Sequence, residues 1–273
     1  MIIDGNNIAK NIIQTCSKAL AGLGIPAVLS VFVVGDEYVT GKFVTIKKKM
    51  AEKAGIQVRL HRYPTEVTTA ELVADIQKSA SQGEVRGIIV QLPLPQPIDV
   101  QEVLASIPVK KDIDVLSPES IDKFRSGALD ILPPVVGAIS EILGIECIDI
   151  EGKKVVVVGR GSLVGMPTSV WVEKQGAHVV VADRKTNNFK EVLQRADIVV
   201  LGAGVPGLIT PDMIKKGVVL FDAGTSEASG KLRGDADPRC AEKCSIFTPV
   251  PGGLGPITIA VLLRNITARI HRS

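Results

Sequence analysis

The sequence is poor in cysteine, histidine and aromatic residues, and it has no long apolar run and no one-sided charge. Its four cysteines, Cys16, Cys147, Cys240 and Cys244, are too few and too scattered for a disulfide scaffold. Cys240 and Cys244 are spaced to share a helix face, but a metal centre needs more ligands. The histidines, His61, His178 and His271, are far apart in sequence, so no metal is expected. The longest apolar runs, such as Val28 to Val34, are strand-sized and exclude a membrane-spanning helix. The opening Met1-Ile2-Ile3-Asp4-Gly5 lacks the basic and apolar regions of an export signal. A formal charge of +3 with interspersed signs lacks the concentrated basic face of a nucleic-acid binder. What remains is a globular protein of the reducing cytoplasm, without membrane or nucleic-acid partners. At 273 residues, 45% hydrophobic and 22% charged, it is long enough to fold as two domains. One local run, Lys47-Lys48-Lys49 with Lys53, reads either as a solvated helix face or as a place to meet an anionic small molecule.

Helical and strand patterns alternate along both halves. The first half reads as a helix over about Asn6 to Leu23, a strand Val28 to Val34 and a lysine-rich helix ending near Ala54. A strand Ile56 to His61, a helix Thr68 to Ser81 and a strand Gly87 to Leu92 follow. Strand-length apolar runs separated by helices predict a mostly parallel sheet with both faces covered. Pro93, Pro95 and Pro97 then stop regular structure at the carboxyl end of a strand, where α/β proteins place ligands. The second half restarts with a strand Lys153 to Val158, a helix Val164 to Gln175 and a strand His178 to Ala182. A helix Phe189 to Arg195, strands Asp197 to Leu201 and Val218 to Asp222, and an apolar helix from about Ile257 to Ile270 complete it. The break at Leu132-Pro133-Pro134 marks a boundary. The expected architecture is α/β in two domains with a cleft between them: 1–132, completed by the C-terminal helix 257–273, and a Rossmann-type domain over 133–256 with a parallel sheet.

Strand Val155 to Val158 runs into Gly159-Arg160-Gly161-Ser162-Leu163-Val164-Gly165 and then a helix. The spacing is one residue longer than the common dinucleotide fingerprint, but the mechanism carries over. Glycines let the backbone approach a pyrophosphate, and the helix N-terminus offers N–H groups and a favourable dipole. A glycine-rich turn without function is the bland alternative. A second run, Gly202-Ala203-Gly204-Val205-Pro206-Gly207, fits G-x-G-x-x-G letter for letter. Pro206, however, stands where a phosphate loop should offer a donor, and the next helical pattern starts only near Pro211. This second run is expected to border the nucleotide rather than bind its pyrophosphate. Asp183, at the end of the second strand, would bind a ribose 2′-hydroxyl and repel a 2′-phosphate. Arg184 and Lys185 follow it, and Arg160 projects from the glycine loop; arginines grip phosphates well. The balance favours NADP, with NAD as the alternative.

Three stretches resemble the signatures of the bifunctional methylenetetrahydrofolate dehydrogenase/methenyltetrahydrofolate cyclohydrolase family. They are Gly87-Ile88-Ile89-Val90-Gln91-Leu92-Pro93-Leu94-Pro95, Lys111-Asp112-Ile113-Asp114, and Thr248 to Thr258, which reads Thr-Pro-Val-Pro-Gly-Gly-Leu-Gly-Pro-Ile-Thr. Ile3-Asp4-Gly5 and Gly159-Arg160 with Val164-Gly165-x-Pro167 also match, so the resemblance spans nearly the whole chain. It implies a folate-binding catalytic domain, an NADP domain and a homodimer. It also implies oxidation of 5,10-methylenetetrahydrofolate followed by hydrolysis to 10-formyltetrahydrofolate, a donor for purine biosynthesis.

The family's Tyr-Val-x-x-Lys motif fits in two registers, Tyr38 to Lys42 or Phe43 to Lys47. Spacing from Gly35 and to Gly55-Ile56 favours the second. Phe43 and Lys47 are one helical turn apart, whereas Gly41 would weaken a helix across the first register. The resemblance makes Lys47 the acid/base, Gln91 its hydrogen-bonding partner and Asp114 the carboxylate that grips the pterin's amino edge. Phe43, Pro251, Gly252 and Gly253 are then substrate contacts. Gly159, Arg160, Gly161, Ser162, Val164, Gly165, Asp183 and Arg184 are cofactor contacts. Departures cluster near these positions: Phe43 lacks the tyrosine hydroxyl, Gly161 stands for serine, Asp183-Arg184 replaces His-Ser, and Val115 replaces glycine. Pro133 to Gly137 matches its signature only loosely. Two alternatives stay open, a dehydrogenase with weak or absent cyclohydrolase activity and a non-catalytic NADP-binding module.

Overall fold

The computed structural model describes residues 1–24, 26–35, 38–228 and 231–270, with the side chains of residues 23, 38–43, 227, 228 and 231 set aside. The chain divides into two compact units, one of Lys10–Pro134 with Ile259–Ser273, the other of Met1–Ala9 with Val135–Thr258. Helix α1 (Gly5–Leu23) and strand β1 (Val28–Val34) are followed by α2 (Tyr38–Lys53), β2 (Gln57–Tyr63), α3 (Thr69–Ala80) and β3 (Val85–Val90). Helices α4 (Val100–Ala105), α5 (Pro118–Ser126) and α6 (Pro134–Ile145) lead to β4 (Lys154–Val158), α7 (Gly165–Lys174), β5 (His178–Ala182), α8 (Phe189–Gln194), β6 (Ile198–Leu201) and β7 (Val219–Asp222). A hairpin of β8 (Ser226–Ala228) and β9 (Lys231–Arg233), then β10 (Ile246–Phe247) and α9 (Leu254–Ile270), complete the chain.

The first unit holds a parallel sheet in the order β2-β1-β3. Every residue of the central strand β1 is buried, which explains its unbroken apolar run. Its one hydroxyl, Ser30, is partnered by the Ser79 hydroxyl at 2.8 Å. Helix α3 starts at a capping box: Glu71 N–H donates to the Thr68 hydroxyl (3.2 Å), and Thr68 N–H donates to the Glu71 carboxylate (2.9 Å). Its Leu72 and Ile76 pack with Phe32 and Ile88 in the core. Each such fully buried side chain contributes about 1.5–3 kcal/mol. The C-terminal helix α9 is fastened to this unit by Asn265, whose amide donates to Ile113 O and Leu132 O, both at 2.9 Å.

The second unit holds a parallel sheet in the order β10-β7-β6-β4-β5. Its core takes Val156, Val158, Val199, Leu201 and Leu220 from the strands. The chain leaves β4 toward β5 on one side and returns to β6 on the other. The topological switch point of a doubly wound sheet therefore lies between the carboxyl ends of β4 and β6.

Two expectations are corrected. The first nine residues group with the second unit, although the sequence reading assigned 1–132 to the first. The cause is a short parallel extension of the β10 edge: Ile3 N–H donates to Phe247 O, and Phe247 N–H to Met1 O, each at 2.9 Å. Helix α2 also begins at Tyr38 and runs through Gly41, so the glycine does not separate the two lysine registers. A mid-helix glycine costs only about 1 kcal/mol relative to alanine, which the rest of a helix offsets.

Candidate functional site

Lys47 lies on the inward face of α2, three residues after buried Val44 and four before fully buried Ala51, so the three share one stripe. Its neighbours in the charge run behave differently: Lys48 is exposed and pairs with Glu52 at 3.9 Å, and Lys49 is exposed. Lys53 is exposed as well, so the run is three solvated lysines and one inward-turned lysine. The Lys47 ammonium donates to Gln91 Oε1 at 2.8 Å. Gln91 follows β3 directly, and its N–H donates to Phe32 O at 2.9 Å, extending the ladder one residue past the strand. Its side-chain amide donates to Leu92 O at 3.1 Å, which turns the amide oxygen toward the lysine.

Asp114 arrives by a different route. Asp112 bridges in parallel to Ile88 of β3, and Gly87 leaves room for the passing segment: a Cβ there would sit 2.9 Å from Ile113. The buried Asp112 carboxylate accepts from Leu116 N–H at 3.1 Å and Ser117 N–H at 2.8 Å, closing a tight loop around Asp114. Val115 sits inside that loop at φ 59°, a left-handed conformation that a β-branched residue adopts only under constraint. The two N–H bonds to Asp112 supply the constraint. Burial raises the Asp114 carboxyl to about 6, with Lys47 opposing and Asp112 reinforcing the shift. Burial also lowers the Lys47 ammonium, partly opposed by Asp114. The lysine and the carboxylate are thus displaced toward each other from their ordinary values, which favours proton transfer. Lys47, Gln91 and Asp114 are therefore brought together. Phe43, expected beside them, has its side chain outside the described residues, as do Tyr38 and Lys42 of the other register.

In the second unit the loop 159–165 follows β4 and opens α7. Its outer glycines are sterically required, because a Cβ at Gly159 would lie 2.5 Å from Gly202 O and one at Gly165 would lie 2.2 Å from Gly159 O. Among the described residues, no acceptor takes the N–H groups of Arg160, Gly161, Ser162 or Leu163. Free donors at a helix N-terminus, approachable because glycines replace side chains, fit a dinucleotide pyrophosphate. Arg160 leans toward the end of β5, donating to Val181 O at 3.3 Å and to the Asp183 carboxylate at 3.5 Å. The Asp183 carboxylate also accepts from Lys185 N–H at 2.8 Å, and these partners hold it below its ordinary pKa, so it stays charged.

The second glycine run is built differently. The N–H groups of Ala203, Gly204 and Val205 all donate to the buried Asp235 carboxylate, which leaves none of the three for a phosphate. The 251–253 stretch forms a turn braced on the chain's start: Gly5 N–H donates to Gly252 O at 2.9 Å, and a Cβ on Gly5 would strike Gly253 O. Sequence reasoning did not single out Asp222 or Asp235 and gave Asp112 no role of its own. The available signal was an aspartate beside a glycine, Gly234-Asp235, and a strand-ending Asp222 followed by Ala223-Gly224. Among the described residues, no His/Cys/Asp/Glu cluster can hold a metal ion, and no helix is long and apolar enough to cross a membrane.

The fold and these sites define a two-unit α/β protein, with a doubly wound nucleotide-type unit and a three-stranded unit carrying a half-buried lysine–amide–carboxylate group. Residues 3–114 match the catalytic domain of tetrahydrofolate dehydrogenase/cyclohydrolase, and residues 133–273 match its NAD(P)-binding domain. The chain belongs to that family. It is 38% identical over 271 residues to the bifunctional protein FolD of Aquifex aeolicus, covering 97% of this chain and 93% of the relative. The bifunctional FolD structure from Campylobacter jejuni superposes with a TM-score of 0.95 at 33% identity, covering 100% of this chain and 99% of that one. The Trypanosoma brucei methylenetetrahydrofolate dehydrogenase-cyclohydrolase, solved with NADP cofactor and an inhibitor, also gives 0.95, at 31% identity and 100% and 97% coverage.

Proposed function

We propose that this chain is an NADP-dependent methylenetetrahydrofolate dehydrogenase and methenyltetrahydrofolate cyclohydrolase, with the hydrolytic chemistry centred on Lys47. The observation that carries the reading is the 2.8 Å hydrogen bond from the inward-turned Lys47 to Gln91, within the field of Asp114. Bound NADP supplies the acceptor for the hydride that leaves the one-carbon bridge. The protein's part in that step is positioning, because a folate nitrogen provides the electron push. The pyrophosphate is held by the free N–H groups of Arg160, Gly161, Ser162 and Leu163, with Gly159, Val164 and Gly165 shaping the loop. Arg160 and Arg184 take the 2′-phosphate, while Asp183 draws Arg160 away from it.

In the hydrolytic step, water adds to the methenyl carbon and its proton passes to the neutral Lys47 amine. Lys47 then protonates the folate nitrogen whose bond to that carbon breaks, and the carbinol O–H releases its proton to solvent as the formyl C=O forms, giving 10-formyltetrahydrofolate. A lysine desolvated in this way is neutral more often than a surface lysine, which suits it to accept the proton. Gln91 holds the amine in place, and Asp114 accepts from the pterin's amino edge. Phe43 and the Pro251-Gly252-Gly253 turn are the remaining substrate contacts. A cytoplasmic homodimer supplying purine biosynthesis follows from the family resemblance.

One observation favours a second reading: Phe43 carries no hydroxyl where the family has tyrosine, which suits a dehydrogenase with weak hydrolysis. The decay of methenyltetrahydrofolate absorbance, with and without enzyme, decides between them. Acceleration supports both activities, and an unchanged decay would leave the dehydrogenase alone. Nucleotide binding without NADP-dependent turnover of methylenetetrahydrofolate would contradict either enzyme.

A further inference from the structure

The run Gly202 to Gly207 has the letters of a phosphate loop and none of its free donors in the first half. Ala203 N–H and Gly204 N–H donate to Asp235 Oδ2 at 2.6 and 3.0 Å, and Val205 N–H donates to Oδ1 at 2.7 Å. Asp235 is completely buried, and the buried Asp222 places it in turn. Asp222 Oδ1 accepts from Asp235 N–H (3.1 Å) and Gly224 N–H (2.9 Å), and its Oδ2 accepts from Ala236 N–H (2.8 Å). Asp222 N–H donates to the buried Thr248 hydroxyl at 2.7 Å. Glycines make room for both carboxylates: a Cβ at Gly224 would sit 2.4 Å from Asp235 Cγ, and one at Gly234 would sit 2.1 Å from Asp222 Oδ2. Two neighbouring buried carboxylates are costly to desolvate unless their oxygens are hydrogen-bonded, as every one of these four is.

The loop's first residues meet the first glycine loop. The Cβ position of Gly159 lies 2.5 Å from Gly202 O, and that of Gly202 lies 2.4 Å from Val164 Cγ1, so the two loops interlock without room for a methyl group. They follow β4 and β6, the neighbouring strands that flank the switch point, beyond whose carboxyl ends such sheets bind ligands.

We propose that Asp235, itself set by Asp222, is a positioning residue for dinucleotide binding. It consumes the donors of the 203–205 segment, and the fixed segment then holds the 159–165 loop in its phosphate-accepting form. This inference rests on the reading that the chain binds NADP at 159–165. A wild-type protein that fails to bind NADP would refute that reading, whereas near-normal binding by the variants below would refute this inference alone.

The test is NADP titration and steady-state kinetics on the full chain, comparing wild type, Asp235→Asn, Ser226→Ala and Asp237→Ala. Asp235→Asn replaces one accepting oxygen with a donor that faces backbone donors. Its Kd and KM for NADP should rise on the order of tenfold, as when an outer-shell partner is lost, with kcat at saturating NADP within about twofold. Ser226, whose hydroxyl donates to Gly204 O at 3.0 Å, braces the same loop from its edge; Ser226→Ala should raise Kd about two- to threefold. Asp237 caps a short helical turn through Arg239 N–H at 2.9 Å in the same unit, and Asp237→Ala should lower Tm without changing Kd. A folded Asp235→Asn protein with wild-type Kd overturns the proposal, as does an equal Kd rise in Asp237→Ala. If Asp235→Asn does not fold, Ser226→Ala decides, and an unchanged Kd there overturns it.

Discussion

The two units place charge in opposite ways. In the three-stranded unit the candidate charges are turned inward: Lys47 meets Gln91, and Asp114 is enclosed by the loop that Asp112 ties down. In the five-stranded unit the candidate charges stay near water, with Arg160 and Asp183 side chains 65% and 43% exposed, while the binding surface is backbone N–H. The difference follows from the work proposed for each. Proton transfer needs groups displaced from their ordinary pKa, which burial provides. Pyrophosphate recognition needs close backbone approach, which glycine provides, and side-chain charge near solvent only adjusts which nucleotide is preferred.

The sharpest break in this comparison comes from adding one methyl group to the backbone site. Gly159→Ala would place a Cβ 2.5 Å from Gly202 O on a residue at φ 108°. The displaced loop should lower kcat/KM for NADP on the order of 100-fold, the usual consequence of a shift near 1 Å, with methenyltetrahydrofolate hydrolysis little changed. Loss of both activities together would show that the two sites are not separable.

The half-buried charge site is tested next by Asp114→Asn. Losing a charge-assisted hydrogen bond worth about 1.5–3 kcal/mol should raise KM for methylenetetrahydrofolate about 10- to 100-fold. The pH dependence has a definite sign. The Asp114 carboxyl titrates at about 6, so the accepting carboxylate is present above that pH and lost below it. In the wild type KM should rise as pH falls through about 6, and in Asp114→Asn that rise should disappear. A wild-type KM that is flat across this range would contradict the assignment.

The smallest effect belongs to the exposed pair. Asp183→Ser frees Arg160 and removes a carboxylate from the 2′-phosphate position. The ratio of kcat/KM for NADP to that for NAD should rise about fivefold, the small effect of a solvent-screened charge pair. A fall in the ratio would mean that Asp183 supports NADP rather than opposing it.

Strands with unbroken apolar runs were legible in the sequence. Strand β1 occupies Val28–Val34 as expected, because a central parallel strand has no polar side to disguise it. Helix α6 was missed because only Ser140 and Glu141 interrupt its apolar run, which leaves a weak amphipathic period. The two-residue β10 and the β8–β9 hairpin were missed because such short elements are fixed by tertiary pairing rather than by their own pattern. The same divide runs through the sites. Lys47 and the 159–165 loop carry local signals, a helix spacing and a strand–glycine–helix order. Asp235 acts on backbone N–H groups 30 to 32 positions away, so its sequence neighbourhood does not reveal it, and Asp112 acts within a short loop that has no helical or strand period to mark it.

In the proposed function Lys47, and no other member of its charge run, performs the hydrolytic proton transfer. The most direct measurement is methenyltetrahydrofolate hydrolysis by Lys47→Met, with Lys48→Met as its exposed neighbour. Loss of an acid/base group predicts a drop of about 10²- to 10⁴-fold for Lys47→Met, with NADP affinity retained and Lys48→Met close to wild type. Unchanged hydrolysis by Lys47→Met would contradict the account.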